Sequence, residues 1–144
     1  MLPLGGTYRY TLDAKGRINI PAPLRKLMTG DSKDWVYIAK GFKSCSLFIY
    51  PAENWFAKMK ELSAVKQTEA DASNIRAFAA NSQPEELDGQ GRIVIPPEYL
   101  RDAGLAREVL IIGVNDRIEV WNPEAYERRQ AETEQNYQQM IKLF

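Results

Sequence analysis

Two arginines, Arg17 and Arg92, have the best-defined surroundings for recognition chemistry in this chain. Each stands four residues after an aspartate (Asp13, Asp88) and directly after a glycine (Gly16, Gly91). A guanidinium presents a rigid fork of donors that matches a carboxylate, a phosphate or the guanine edge. The spacing admits two roles, and they are compatible. The aspartate braces its turn by holding its own arginine, or the rigid turn holds that arginine outward for a ligand. Lys15, at the tip of the first turn, suits a phosphate oxygen.

Other chemistry lacks its residues. There is no histidine and Cys45 is the single cysteine, so no Ser–His or Cys–His pair, no Cys/His zinc site and no internal disulfide can form. Neither a GxxxxGK[ST] nor a GxGxxG loop occurs, and Asp88-Gly89-Gln90-Gly91-Arg92 is too short to count as one. Asp13 and Asp88, each tied to its own arginine, read as turn braces rather than a catalytic carboxylate pair. A protein that is not an enzyme, without cofactor or small-molecule substrate, is expected.

The elements that position these arginines are repeated. Asp13-Ala14-Lys15-Gly16-Arg17-Ile18-Asn19-Ile20-Pro21 is echoed by Asp88-Gly89-Gln90-Gly91-Arg92-Ile93-Val94-Ile95-Pro96. Aspartate opens a tight turn and glycine supplies its positive φ. Isoleucines at alternate positions give a strand one apolar face, and proline ends it while suiting the first turn of a helix. Short helical stretches follow at Pro23–Leu27 and Glu98–Arg101. Then come β-rich runs at Trp35–Ile38 and Val109–Ile112, and at Leu47–Tyr50 and Ile118–Trp121. The predicted unit is strand, turn, strand, short helix, two strands and an exit helix, made twice.

Between the copies, Glu53 to about Ser63 carries Trp55, Phe56, Met59 and Leu62 at helical spacing. A second helix is predicted from about Glu69 to Asn81, with Ile75 and Phe78 on one face and Ser82-Gln83-Pro84 as its stop. The segment from Pro123 to Phe144 reads as a helix whose apolar residues crowd its end. It packs on its own module or meets a neighbouring subunit. Modules of about 45 residues lie near the lower limit for folding alone, so association between modules and between chains is expected.

Lysine and arginine balance aspartate and glutamate at 19 each. That excludes a general polyanion binder. The distribution is uneven, with Arg9, Lys15, Arg17, Arg25 and Lys26 against Asp13 alone in the first 30 residues. Acids gather at Glu69 and Asp71, at Glu85, Glu86 and Asp88, and in the last segment. The first copy is therefore the expected basic face, reinforced by Arg9 upstream and Arg25-Lys26 downstream, with Arg92 as helper or brace. Met1 to Gly6 has neither a basic start nor an apolar run of signal-peptide length. A cytoplasmic protein without a membrane is expected.

The doubled motif, with Glu86-Leu87 before its second copy and Asp102-Ala103-Gly104-Leu105 after it, closely resembles the bacterial MraZ family over roughly residues 5–127. The resemblance implies an α+β fold of two tandem β-rich AbrB-like (SpoVT-AbrB) modules, of swapped-hairpin, double-psi-like kind. They would span residues 7–54 and 83–126, with a helical connector at 55–82 and a C-terminal helix at 127–144. It also implies a nucleoid-associated transcriptional regulator that forms rings. Such proteins bind repeated double-stranded DNA elements upstream of the division and cell wall operon, including their own gene. The family's paired positions map onto Asp13, Arg17, Asp88 and Arg92. Leu2-Pro3-Leu4 lacks the basic residue the pattern has there, and Arg9 is the candidate to compensate. Two other classes fit parts of the chain. An AbrB-like antitoxin would have one module and a disordered tail, and a ring-shaped scaffold would have no nucleic-acid role.

Overall fold

A computed structural model describes residues 2–65 and 68–144; Met1 of the amino-terminal stretch lies outside the described residues. The first copy supplies strands β1 (Thr7–Thr11) and β2 (Arg17–Asn19), helix α1 (Ala22–Arg25), and strands β3 (Trp35–Lys40) and β4 (Ser46–Pro51). Helices α2 (Ala52–Ala64) and α3 (Glu69–Ala80) connect it to the second copy. That copy repeats the order with β5 (Ser82–Glu86), β6 (Arg92–Val94), α4 (Pro97–Ala103), β7 (Glu108–Val114) and β8 (Arg117–Trp121), before α5 (Pro123–Ile141). The fold is α+β, as expected. No helix among the described residues is long and apolar enough to cross a membrane.

The copies do not sit side by side. One antiparallel sheet runs β1-β7-β8-β4-β3-β5, so the first strand of each copy pairs with the third strand of the other. The short strands β2 and β6 pair across the copies as a separate antiparallel ribbon. Each hairpin is thereby exchanged, and the two halves share one hydrophobic core.

Strand alternation explains where that core lies. Val36, Ile38, Leu47, Ile49, Val109, Ile111, Ile118 and Val120 line one face of the large sheet, and all are buried. Ile18, Ile20, Ile93 and Ile95 of the two motifs pack onto it, together with Leu24 of α1 and Tyr99 of α4. The opposite face is covered by the connecting and terminal helices. There Trp55 of α2 stacks on Tyr37 at 4.0 Å between centroids, and Tyr126 of α5 meets Trp121 edge-on. On the same face, buried Glu119 accepts hydrogen bonds from Trp121 Nε1 at 2.9 Å and Arg117 Nε at 2.9 Å.

Two expectations are refined. Helix α3 ends at Ala80 with Asn81 as its cap, where Asn81 N donates to the Ala77 carbonyl and Ser82 Oγ to that of Phe78. Ser82-Gln83-Pro84 is not a bare stop but opens β5, with Pro84 opposite Tyr37. An edge strand tolerates proline because one side of it needs no donor. Only the start of α5 packs on its own chain, through Ala125, Tyr126 and the Arg129 guanidinium over Phe42. Tyr137, Met140, Ile141, Leu143 and Phe144 are all exposed.

Candidate nucleic-acid interface

The two turns have the same internal wiring. Asp13 Oδ1 accepts from the backbone N–H groups of Lys15 at 2.9 Å and Arg17 at 2.8 Å, while Oδ2 accepts from Arg17 Nε at 2.6 Å. Asp88 does the same with Gln90, Arg92 and Arg92 Nε, each at 2.9 Å. Gly16 N and Gly91 N donate back to the Asp13 and Asp88 carbonyls, and both glycines hold φ at 75°. The backbone N–H of Arg17, then its guanidinium and the Lys15 N–H, hold the Asp13 carboxyl below its usual range against some desolvation. Asp88 is lowered in the same way, first by the Arg92 N–H and then by that of Gln90. Both braces therefore stay ionised at neutral pH. Since each ion pair engages Nε, the two Nη groups of each arginine make no hydrogen bond among the described residues. Bracing and presentation coexist in one side chain.

Swapping brings the turns together. Ile20 N donates to the Gly91 carbonyl and Ile95 N to that of Gly16, both at 2.9 Å, so each copy's strand exit is pinned to the other's turn. In the ribbon Arg17 lies opposite Val94, and Asn19 opposite Arg92. Both arginines thus share one face with Asn19 and Val94.

The neighbours of each turn come from the wrong copy, from the viewpoint of the sequence. Chain order puts Arg25 with the first turn. Instead α1 lies across the second, with Arg25 Nε donating to the Ile20 carbonyl at 2.9 Å. A Cβ on Gly91 would collide with the Arg25 guanidinium, which therefore lies flat on that turn. Leu100 occupies the matching place over Gly16. A shallow cleft beside the second turn is lined by Arg25, Lys26, Lys33, Asp34 and Asp88. The cleft beside the first turn is lined instead by Asp13, Ala14 and Arg107 of the second copy. Nothing local to Arg107 in the sequence signals a place beside the first turn. The exchanged pairing puts it there, with Leu12 N donating to the Arg107 carbonyl at 2.8 Å, matched by Leu87 N to that of Asp34.

Arg9 is not brought to the turns. Its neighbours Tyr8 and Tyr10 face the main core, so Arg9 faces the helix-covered side, 3.9 Å from Glu127 of α5. Lys15 is exposed at its turn, as Gln90 is at the other. Among the described residues no cluster of three or more His, Cys, Asp or Glu side chains is arranged to hold a metal ion.

Fold and site together define a tandem, swapped-hairpin protein that sets two braced arginines on one short ribbon. The chain belongs to the MraZ family. The model of the family described as "MraZ protein, putative antitoxin-like" matches twice, over residues 4–78 and 77–142. Among its relatives is a "Transcriptional regulator MraZ" of Lactiplantibacillus plantarum, 38% identical over 92% of this chain and 91% of the relative. Proteins of the same name from Thermoanaerobacter pseudethanolicus and Moorella thermoacetica are each 36% identical. They cover 95% and 92% of this chain, and 93% and 90% of their own lengths. The relatives are named as regulators, not enzymes.

Proposed function

We propose that this chain is a sequence-specific DNA-binding transcriptional regulator, acting as a nucleoid-associated ring on repeated promoter elements of the division and cell wall operon, its own gene included. The observation that carries the reading is the pair of arginines, each braced through Nε and open at Nη, on one two-stranded ribbon. Ribbons of this kind fit the major groove, where arginine makes bidentate contact with guanine. Lys26 and Arg107 line the clefts beside the turns, Lys15 stands exposed on the first turn, and all three suit phosphates. A neutral chain is no obstacle, because linked weak contacts around a ring multiply affinity at repeated sites.

A gel-shift titration of its own promoter fragment across salt concentrations tests this. Arg17→Ala should cost ~1–3 kcal/mol at the specific site and relax sequence preference. Lys15→Ala should weaken all sequences alike and flatten the salt dependence. Circular dichroism and particle size control for the brace that Arg17 also makes with Asp13. No salt-dependent shift by the intact protein would refute the regulator and favour a scaffold.

A further inference from the structure

DNA binding alone does not say which side chains sort one sequence from another. Resting on the DNA-binding reading, we propose that the outer face of the β2–β6 ribbon reads bases, with Asn19 recognising adenine and Val94 a thymine methyl as its specificity-determining residues. The register centres on Ile18 opposite Ile93, and both point into the core at 1% and 2% exposure. Strand alternation turns the four flanking residues outward. One row of the face is Arg17 beside Val94, and the other is Arg92 beside Asn19.

The rows are related by the pseudo-twofold of the duplication, and only the partner of the arginine differs. Val94 is 47% exposed, an uncovered β-branched group between polar neighbours. Asn19 is exposed too, and its one side-chain hydrogen bond among the described residues is long, from Nδ2 to the Gln90 carbonyl at 3.3 Å. Its Oδ1 and second amide hydrogen remain available. Adenine shows a donor and an acceptor in the major groove, which an amide matches and a valine does not; thymine shows a methyl, which valine contacts. Residues two apart on a strand are separated by about 6.7 Å, close to two base steps of about 3.4 Å. The recognised element is therefore unequal in its halves, a guanine with an adenine on one side and a guanine with a thymine on the other.

The test uses the full-length protein and the promoter fragment that it shifts. Every base pair of the protected element is substituted in turn, and each thymine is also replaced by uracil, which removes only the methyl. For the wild type, one uracil replacement should weaken binding several-fold, and Val94→Ala should lose that sensitivity. Asn19→Ala should lose about tenfold discrimination at one A·T pair and leave the other positions unchanged. The uracil series needs no variant, so a misfolded mutant cannot hide the result. Binding that is indifferent to every uracil, together with an unchanged profile in Asn19→Ala, overturns the inference and leaves DNA binding standing. Failure of the wild type to shift any fragment removes the DNA reading itself.

Discussion

Gly91 shows how tightly one position can be specified. Its φ of 75° already disfavours a side chain, and the Arg25 guanidinium occupies the place of a Cβ. Gly91→Ala should destabilise the fold by about 1–2 kcal/mol from the left-handed backbone, plus the displacement of Arg25 from the Ile20 carbonyl. Arg25→Ala in the Gly91→Ala background should relieve the crowding and leave the backbone cost. Chemical denaturation of the two single mutants and the double mutant measures the coupling, and strict additivity would contradict the contact. At the first turn a Cβ would meet only the Ile95 carbonyl at 3.3 Å and the Leu100 side chain at 3.5 Å. Gly16→Ala should therefore show the backbone cost with little relief from Leu100→Ala.

The aspartates make a prediction in pH. Their carboxyls are lowered from the ordinary 3.8, which means that the folded state favours the ionised form. The contribution of each brace is fully present above that ordinary value and is lost as pH falls through the lowered one. Carboxyl NMR should find Asp13 and Asp88 titrating below the ordinary 3.8, and Arg17→Ala should move Asp13 upward. Titration of Asp13 at 3.8 or above in the wild type would show the brace to be loose.

At the scale of elements, α5 divides into a packed start and a free remainder. Ala125, Tyr126 and Arg129 hold its first turns to Trp121 and Phe42, whereas residues 131–144 are exposed throughout. Deleting residues 131–144 should leave the thermal midpoint of the dissociated chain unchanged within error. A drop of many degrees would mean that this end packs on its own core. Much of the element plan is legible in the sequence, because period-two isoleucines and the Asp–Gly–Arg turns are local signals. Partners are not. Alternation says that Tyr8 and Tyr10 share a face, but not that their strand joins β7 rather than its own copy. For the same reason chain order credits Arg25 to the first turn and passes over Arg107. Both misplacements come from assuming that neighbours in the chain are neighbours in the fold.

At the scale of the molecule, the two halves cannot be ordinary independent modules. Each half pairs its first strand with the third strand of the other in one shared sheet, and the ribbon needs one strand from each. A chain cut between α2 and α3 should therefore remain one particle on a sizing column and separate only in denaturant. Halves that part in native buffer would contradict the exchanged pairing. Uncovered Phe56, Tyr137, Met140, Ile141 and Phe144 on a chain this small also argue against a lone monomer. Light scattering should give a closed multiple of the chain mass, and a stable monomer at micromolar concentration would defeat the proposed ring.

The exchanged hairpins also set an order of events during synthesis. The ribosome finishes β1 and β2 early, but their partners β7 and β6 are made only in the second half of the chain. At roughly 5–20 residues per second the first arm waits for several seconds with its edges unpaired. In a polysome, the nearest complementary hairpin during that wait can belong to another nascent chain, and the same hydrogen bonds then form between two molecules. The short, polar-faced β2 limits what such an encounter can bury. The helical span between the copies keeps the proper partner at high local concentration once it emerges.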